Sequence, residues 1–289
     1  MNITVTGGAG YIGARLVPKL LADGHKVTVV DTQWFGKGHL PTDNENLRVI
    51  RGDVRDTGIE GDVVIWLSSV SNNEMYGVNY DLTHEVNTYL DIDPKAKFIY
   101  ASSVAVLDPT SDYAKDKLAC EAMLKDSGAI IVRAASVVGY SPNMRFDITL
   151  NKMTHDAYKT GVVTVNGGEQ QRAHVHIDDL CDYYKLILEK GELGKTYDIW
   201  GIGMSIRGAA ESLGWTFEAM KKPLRIEYKP RTDNRNYGFD LTGESMRSLA
   251  PQKVNRAVWD GVRDIVARFD QGMWKDTSDE LLWRINRNI

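Results

Sequence analysis

Residues 1–17, MNITVTGGAGYIGARLV, decide the fold. A β-branched run from Ile3 to Thr6 leads into glycines at positions 7, 10 and 13, and then into residues able to start a helix. Strand, glycine turn and helix in that order give Gly-x-x-Gly-x-x-Gly its meaning as a seat for a dinucleotide pyrophosphate. Backbone can approach the phosphates where Cβ atoms would obstruct it, and the helix N-terminus adds N–H groups and a favourable dipole. Gly7, Gly10, Tyr11, Ile12 and Gly13 are the candidate phosphate-binding residues. The same glycines could equally form a tight strand-to-helix turn and nothing more, so the following residues have to supply the rest of a cofactor site.

The next stretches alternate strand-like and helix-like patterns. KVTVVD (26–31), LRVIRGD (47–53), GDVVIWLSS (61–69), AKFIYASS (96–103) and AIIVRAASVVG (129–139) read as strands. LTHEVNTYLDI (82–92) and YAKDKLACEAMLKDSG (113–128) read as helices. Repeated βα units with apolar β-branched runs predict an α/β fold, a doubly wound parallel sheet covered on both faces. Pro18 removes a hydrogen bond from the first helix and predicts a kink or an early break there. The second half is less regular and predicts a smaller mixed α/β lobe. The expected division is 1–140 for the dinucleotide-binding domain, with chain crossing back from the second half, and 141–289 mainly for a substrate-binding lobe.

At 289 residues the chain can bury a sizeable core, and 43% hydrophobic with 26% charged residues is ordinary for a globular protein. A formal net charge of -4 argues against a general nucleic-acid or membrane-surface binder, while leaving room for local basic pockets. Cys120 and Cys181 stand far apart, outside any Cys/His metal spacing, so neither a disulfide nor a metal is expected and a reducing, cytoplasmic setting is. No apolar run reaches the roughly 18 residues of a spanning helix, and the N-terminus reads as a strand rather than a signal peptide.

Asp31 ends the second strand, where an acidic side chain accepts hydrogen bonds from the adenosine ribose hydroxyls. A carboxylate there repels a 2′-phosphate, which favours NAD over NADP. Asp53, ending RVIRGD, is placed to address the adenine edge. Trp34 and Phe35 either wall the adenine pocket or pack their own loop.

Further along, FIYASSVAVLDPTSDYAKDKLACE places Tyr113 and Lys117 four residues apart, on one face of a helix. A tyrosine is a poor base at neutral pH. A nearby lysine cation favours the phenolate, and a serine hydroxyl can hydrogen-bond the reacting oxygen. Such a set could take a proton from a carbinol while hydride leaves its carbon.

With these residues the chain resembles the extended short-chain dehydrogenase/reductase family, in particular its nucleotide-sugar epimerase/dehydratase group related to UDP-glucose 4-epimerase. The resemblance runs almost end to end through TGGAGYIG, GDVRD, WLSSVS, VNTYL, YASSVAVL, YAKDK, RAHVHIDDL and PRTDNRNYGFD. It implies a Rossmann-type fold with NAD as cofactor, contacted by the glycine turn, Asp31, Asp53, Val54, Leu67, Ser68, Ser69, Asn87, Ala101, Tyr113 and Lys117. Tyr113 becomes the general acid/base and Lys117 the residue that binds the nicotinamide ribose and lowers the tyrosine pKa. Ser103, rather than Ser102, takes the place of the catalytic Ser/Thr and touches substrate. Leu107 stands where the family customarily has a tyrosine, and the loop from Ser103 to Tyr113 is short.

Arg172 matches the family arginine on the nucleotide diphosphate, and either Arg231 or Arg235 matches the second one. His176 and Asp179 match residues that support the fold. Family 4,6-dehydratases resemble Thr-Asp-Glu after the strand, whereas this chain has Val104 and Ala105, which disfavours elimination of water. A 4-epimerase acting on a nucleotide-diphosphate sugar is the favoured reading. An NAD(P)H-dependent reductase of a nucleotide-linked ketosugar or other carbonyl is the alternative, and a non-catalytic dinucleotide-binding protein the third. The resemblance also implies a homodimer, while the charge balance points to no nucleic-acid or membrane partner.

Overall fold

The computed structural model describes residues 1–36, 39–69, 96–231, 244–249, 256–278 and 282–283. In chain order the first half contains β1 (Asn2–Thr6), α1 (Gly13–Ala22), β2 (Lys26–Asp31), β3 (Leu47–Arg51), β4 (Val63–Trp66), β5 (Lys97–Ser103), α2 (Asp112–Leu124), β6 (Ile130–Ala134) and β7 (Ser136–Val138). There follow α3 (Thr149–Thr160), β8 (Val162–Asn166), β9 (Gln171–His176), α4 (Ile177–Lys190) and β10 (Thr196–Ile199). The last described elements are β11 (Ile202–Ser205), α5 (Ile206–Ala219), β12 (Arg225–Lys229), α6 (Glu244–Leu249) and α7 (Val258–Asp270). The helix expected over 82–92 lies outside the described residues.

Seven strands form one parallel sheet in the order β3-β2-β1-β4-β5-β6-β10. This is the doubly wound α/β arrangement that the alternating pattern predicts. The order reverses between β1 and β4, which opens a crevice at the C-terminal ends of the strands. Two smaller sheets, β7-β9-β11 and β8-β12, come from the second half, while β10 returns to complete the main sheet.

Alternation along the strands separates two apolar layers. On β4, Val63 and Ile65 join the core shared with Leu16, Leu20, Leu180 and Ile187 of α1 and α4. Val64 and Trp66 point the other way, into a core shared with Cys120 and Leu124 of α2. The two helix sets therefore cover opposite faces.

The expected break at Pro18 does not occur: α1 runs unbroken from Gly13 to Ala22. Its buried stripe of Leu16, Val17, Leu20 and Leu21 spans the proline on both sides, so packing on the sheet holds the helix across one lost hydrogen bond. Both cysteines are free and buried. No described helix is long and apolar enough to cross a membrane.

Candidate active site

A cavity of about 410 Å³ lies along the crevice, a size suited to a small-molecule ligand. Gly7, Gly10, Tyr11, Ile12 and Gly13 form its floor. Gly7 has φ +66°, and a Cβ there would stand 2.8 Å from the Ser68 amide nitrogen. At Gly13 a Cβ would stand 2.4 Å from the Gly8 carbonyl oxygen. The first glycine thus lets the turn pass against the exit of β4, and the third lets α1 sit directly on the turn. Leu67, Ser68 and Ser69 follow β4 into the wall.

Asp31 lines the cavity at the end of β2 and also fastens the turn. Its carboxylate accepts from the Ala9 amide at 2.9 Å and from the Gln33 amide at 2.7 Å. Trp34 and Phe35 stand beside it, facing the cavity rather than only their own loop. Asp53 and Val54 line the same end. The Arg55 guanidinium donates to Asp53 at 3.0 and 2.7 Å, which holds the carboxyl below its ordinary pKa. Any contact of Asp53 with an adenine edge is therefore made in competition with Arg55.

At the other end β5 delivers Ser102 and Ser103, and α2 delivers Tyr113. The Ser103 hydroxyl accepts from the Ala105 amide at 3.2 Å and caps a 3₁₀ turn over Val104–Leu107. Val104 and Val106 are buried while Leu107 is exposed, so the short loop is a single tight turn anchored on its apolar side. Ser111 then caps α2, its hydroxyl accepting from the Ala114 amide at 3.2 Å, which sets Tyr113 in the helix's first turn.

Lys117 follows one turn later, with its ammonium 6.0 Å from the Tyr113 ring centre and 4.7 Å from that of Tyr100. It donates to the Ala101 carbonyl at 2.7 Å and is only 5% exposed. Burial pulls its pKa down to about 8. Lys117 and Ala101 thus stand behind the cavity wall rather than among the residues lining it. Ser102 also lines the cavity, and its hydroxyl donates to Glu121 at 2.5 Å.

Arg172, on β9, reaches the cavity. Arg231 does not line it; its side chain stands against Gly167 at the turn between β8 and β9. Asn87 and Arg235 lie outside the described residues. His176 accepts from the Asp178 amide at the start of α4, and Asp179 binds the Arg256 main chain and side chain at 2.7 and 2.6 Å. Both are fold supports.

The loop between β7 and α3 holds site residues that sequence reasoning missed. Ser141 donates to the Tyr11 carbonyl at 2.7 Å, and Asn143 donates to the Ala9 carbonyl at 2.7 Å. The Tyr11 hydroxyl returns to this region, donating to the Gly139 carbonyl at 2.6 Å and accepting from Asn151 at 3.0 Å. Arg145, paired with Asp147, completes the wall beside Ile148. The glycine turn and the β7–α3 loop are therefore bolted together. Polar residues in SPNMRFD were its only sequence signal.

The family model described as the NAD dependent epimerase/dehydratase family matches residues 3–203. The chain belongs to that family. UDP-glucuronic acid decarboxylase 1 of Xenopus tropicalis is 28% identical over 224 residues, which cover 63% of this chain and 52% of that protein. UDP-glucose 4-epimerase of Corynebacterium glutamicum is 26% identical over 281 residues, covering 80% of this chain and 84% of that protein. This chain spans roughly half the length of several of the curated relatives it matches. A solved NAD dependent NDP-hexosamine 5,6-dehydratase involved in tunicamycin biosynthesis shares the fold, with a TM-score of 0.81 at 19% identity over 95% of this chain and 99% of that one.

The residues present fit the family's cofactor, NAD. The Gly7–Gly13 turn leaves room that a Cβ would fill, α1 begins beneath it, and the Asp31 carboxylate stands where a ribose diol would be met.

Proposed function

We propose that the chain epimerises a nucleotide-diphosphate sugar at C4 through a transient 4-keto form of the sugar. The observation that carries this reading is the distribution of charge in the cavity. Among its described lining residues the carboxylates are Asp31 and Asp53, both at the β2–β3 end, while the end near β5 offers Ser103, Tyr113, Arg145 and Arg172. Elimination of water needs an acid and a base beyond the tyrosine; oxidation and re-reduction of a carbinol do not.

Bound NAD supplies the acceptor and donor of hydride. Tyr113 takes the proton of the sugar hydroxyl and later returns it. Lys117 favours the phenolate by its charge, and Ser103 hydrogen-bonds the sugar oxygen. Arg172 neutralises the diphosphate; of its two candidate companions Arg231 stands at the Gly167 turn, off the cavity lining, which leaves Arg235, and the substrate side is built mainly from residues after 140. Inversion at C4 leaves the sugar at its starting oxidation level, so the reaction would consume no external reductant.

Tyr113→Phe tests the assignment. The variant is expected to bind NAD as the wild type does and to lose roughly 10²–10⁴-fold in turnover, the range for removal of a general acid/base. Full activity would reject Tyr113 as the proton carrier. Steady consumption of NADH or NADPH with a ketosugar would instead establish the reductase.

The homodimer belongs to the same reading. The outer side of α2 exposes Leu118 and Met123, 40% and 37% accessible, as an apolar face suited to a second copy. Leu118→Glu is expected to shift the sedimentation coefficient from dimer to monomer.

A further inference from the structure

We propose that Glu121, held by Arg133 and Ser102, is a positioning residue that keeps the Lys117 ammonium charged and set beneath Tyr113. The inference rests on the roles given above to Tyr113 and Lys117. Those two residues and Glu121 occur at i, i+4 and i+8 of α2, so they form one stripe facing the end of β5.

The last three residues of β5 meet that stripe in turn. Ala101 accepts from Lys117 at 2.7 Å, Ser102 donates to Glu121 at 2.5 Å, and Ser103 lines the cavity beside Tyr113. A second row runs across the sheet at this level. Ser102 pairs in register with Arg133 of β6, and Arg133 with Asp198 of β10. Arg133 grips Glu121 through Nε at 2.9 and 3.1 Å and through Nη2 at 2.5 Å, with Asp198 3.8 Å from its Nη1. A planar guanidinium fork fixes a carboxylate in direction as well as distance.

This arrangement gives Lys117 a negative neighbour that does not capture it. The carboxylate oxygens of Glu121 are taken by Arg133 and Ser102, and the ammonium goes to a neutral carbonyl. Among the described residues, the groups around Lys117 are Tyr113, Asp116, Cys120 and Glu121 from its own helix and the Tyr100 ring from β5. Arg133 and Asp198 act through Glu121. Burial disfavours the cation, while Cys120, Glu121 and Asp116 oppose that effect. Withdrawing the Glu121 charge removes that attraction and leaves the Arg133 cation to the more distant Asp198 carboxylate.

The test is an ultraviolet titration of the Tyr113 phenolate in the NAD-loaded protein, with Tyr113→Phe in each background as the blank. In Glu121→Gln, Lys117 loses its proton at lower pH, and the Tyr113 transition moves up by about one pH unit. Turnover at neutral pH falls about tenfold with the nucleotide-sugar KM unchanged, since one unit in phenolate formation is tenfold in its population. A merely structural clasp lowers the melting temperature and leaves the phenolate titration in place; that result overturns the proposal. Should Glu121→Gln not fold, Glu121→Asp keeps the charge but withdraws it by one methylene, and a smaller shift in the same direction is expected. An unmoved transition there overturns it as well. The titration needs no sugar, so a shift seen in a protein that turns over no nucleotide sugar supports this inference while rejecting the epimerase reading.

Discussion

The α1–α4 seam and the Lys117 site treat their cations in opposite ways. Where α1 meets α4, Arg15 bonds Asp178 at 2.7 Å, Lys19 bonds Asp182 at 2.6 Å, and Arg256 bonds Asp179 at 2.6 Å. Each cation there meets a carboxylate and stays partly in solvent. On the α2 face Lys117 is buried, stacked over Tyr100 and bonded to a backbone carbonyl. A paired cation at a rim keeps its charge at any ordinary pH and contributes modest stability. A desolvated cation on a neutral acceptor stays close to losing its proton, and its charge is available to a neighbouring phenol. The seam serves cohesion; the Lys117 site is where the proposed chemistry is placed.

Replacing the cations and their partners tests that contrast, beginning with the largest expected effect. Lys117→Met should lower turnover by about 10³-fold without lowering the melting temperature, because a buried charge gives way to a side chain that prefers the interior. Unchanged turnover would place Lys117 among the packing residues. In the wild type Lys117 carries its charge below its pKa of about 8 and loses it above, so turnover should decline as pH rises through that region.

Asp179→Ala belongs to the cohesive seam. It strips hydrogen bonds from both the main chain and side chain of Arg256, and should cost about 2 kcal/mol in chemical denaturation while leaving kcat of the folded enzyme intact. A loss of kcat with stability preserved would reverse the contrast at that position.

His174 sharpens the comparison from inside the small β7-β9-β11 sheet. Both of its ring nitrogens are buried without a hydrogen-bond partner among the described residues, and burial pulls its pKa down to about 3, so it packs as a neutral ring. His174→Leu should raise stability by about 1 kcal/mol, the order of the cost of unsatisfied buried polar atoms, as read by thermal melting.

The smallest effect is expected at Asp178. Burial raises the pKa of this carboxyl, but Arg15 and Lys19 outweigh it and the net shift is downward. A depressed carboxylate pKa contributes stability above the unfolded value near 3.8, and that contribution is lost as pH falls through the folded pKa. Asp178→Asn should therefore cost at most about 1 kcal/mol at neutral pH, with the gap to wild type closing in strong acid. A gap that persists there would assign the residue a role other than its charge.

Much of the scaffold and part of the candidate site were legible because their signals are local. The glycine turn, the alternating βα pattern and the i, i+4 spacing of Tyr113 and Lys117 each sit within a few residues. Pairing of Asp53 with Arg55 is just as local, yet a strand-end acid in this place reads first as a ligand for adenine. The links from Ser141 and Asn143 to Tyr11 and Ala9 cross about 130 residues of chain, and only the tertiary return of the β7–α3 loop creates them. Pro18 misled for the same reason: propensity is a local signal, and packing against the sheet overrides it. Arg231 has the right chemistry for a diphosphate, but the turn at Gly167 decides where it stands.

The central claim is tested most directly by an NMR time course of the purified protein with UDP-, dTDP-, GDP- and CDP-hexoses. Oxidised NAD is supplied, no reduced cofactor is added, and cofactor absorbance is followed alongside. The account predicts a C4-inverted sugar on one of these nucleotides with no net accumulation of NADH. A dehydrated or decarboxylated product, or no inversion with any of them, would contradict it.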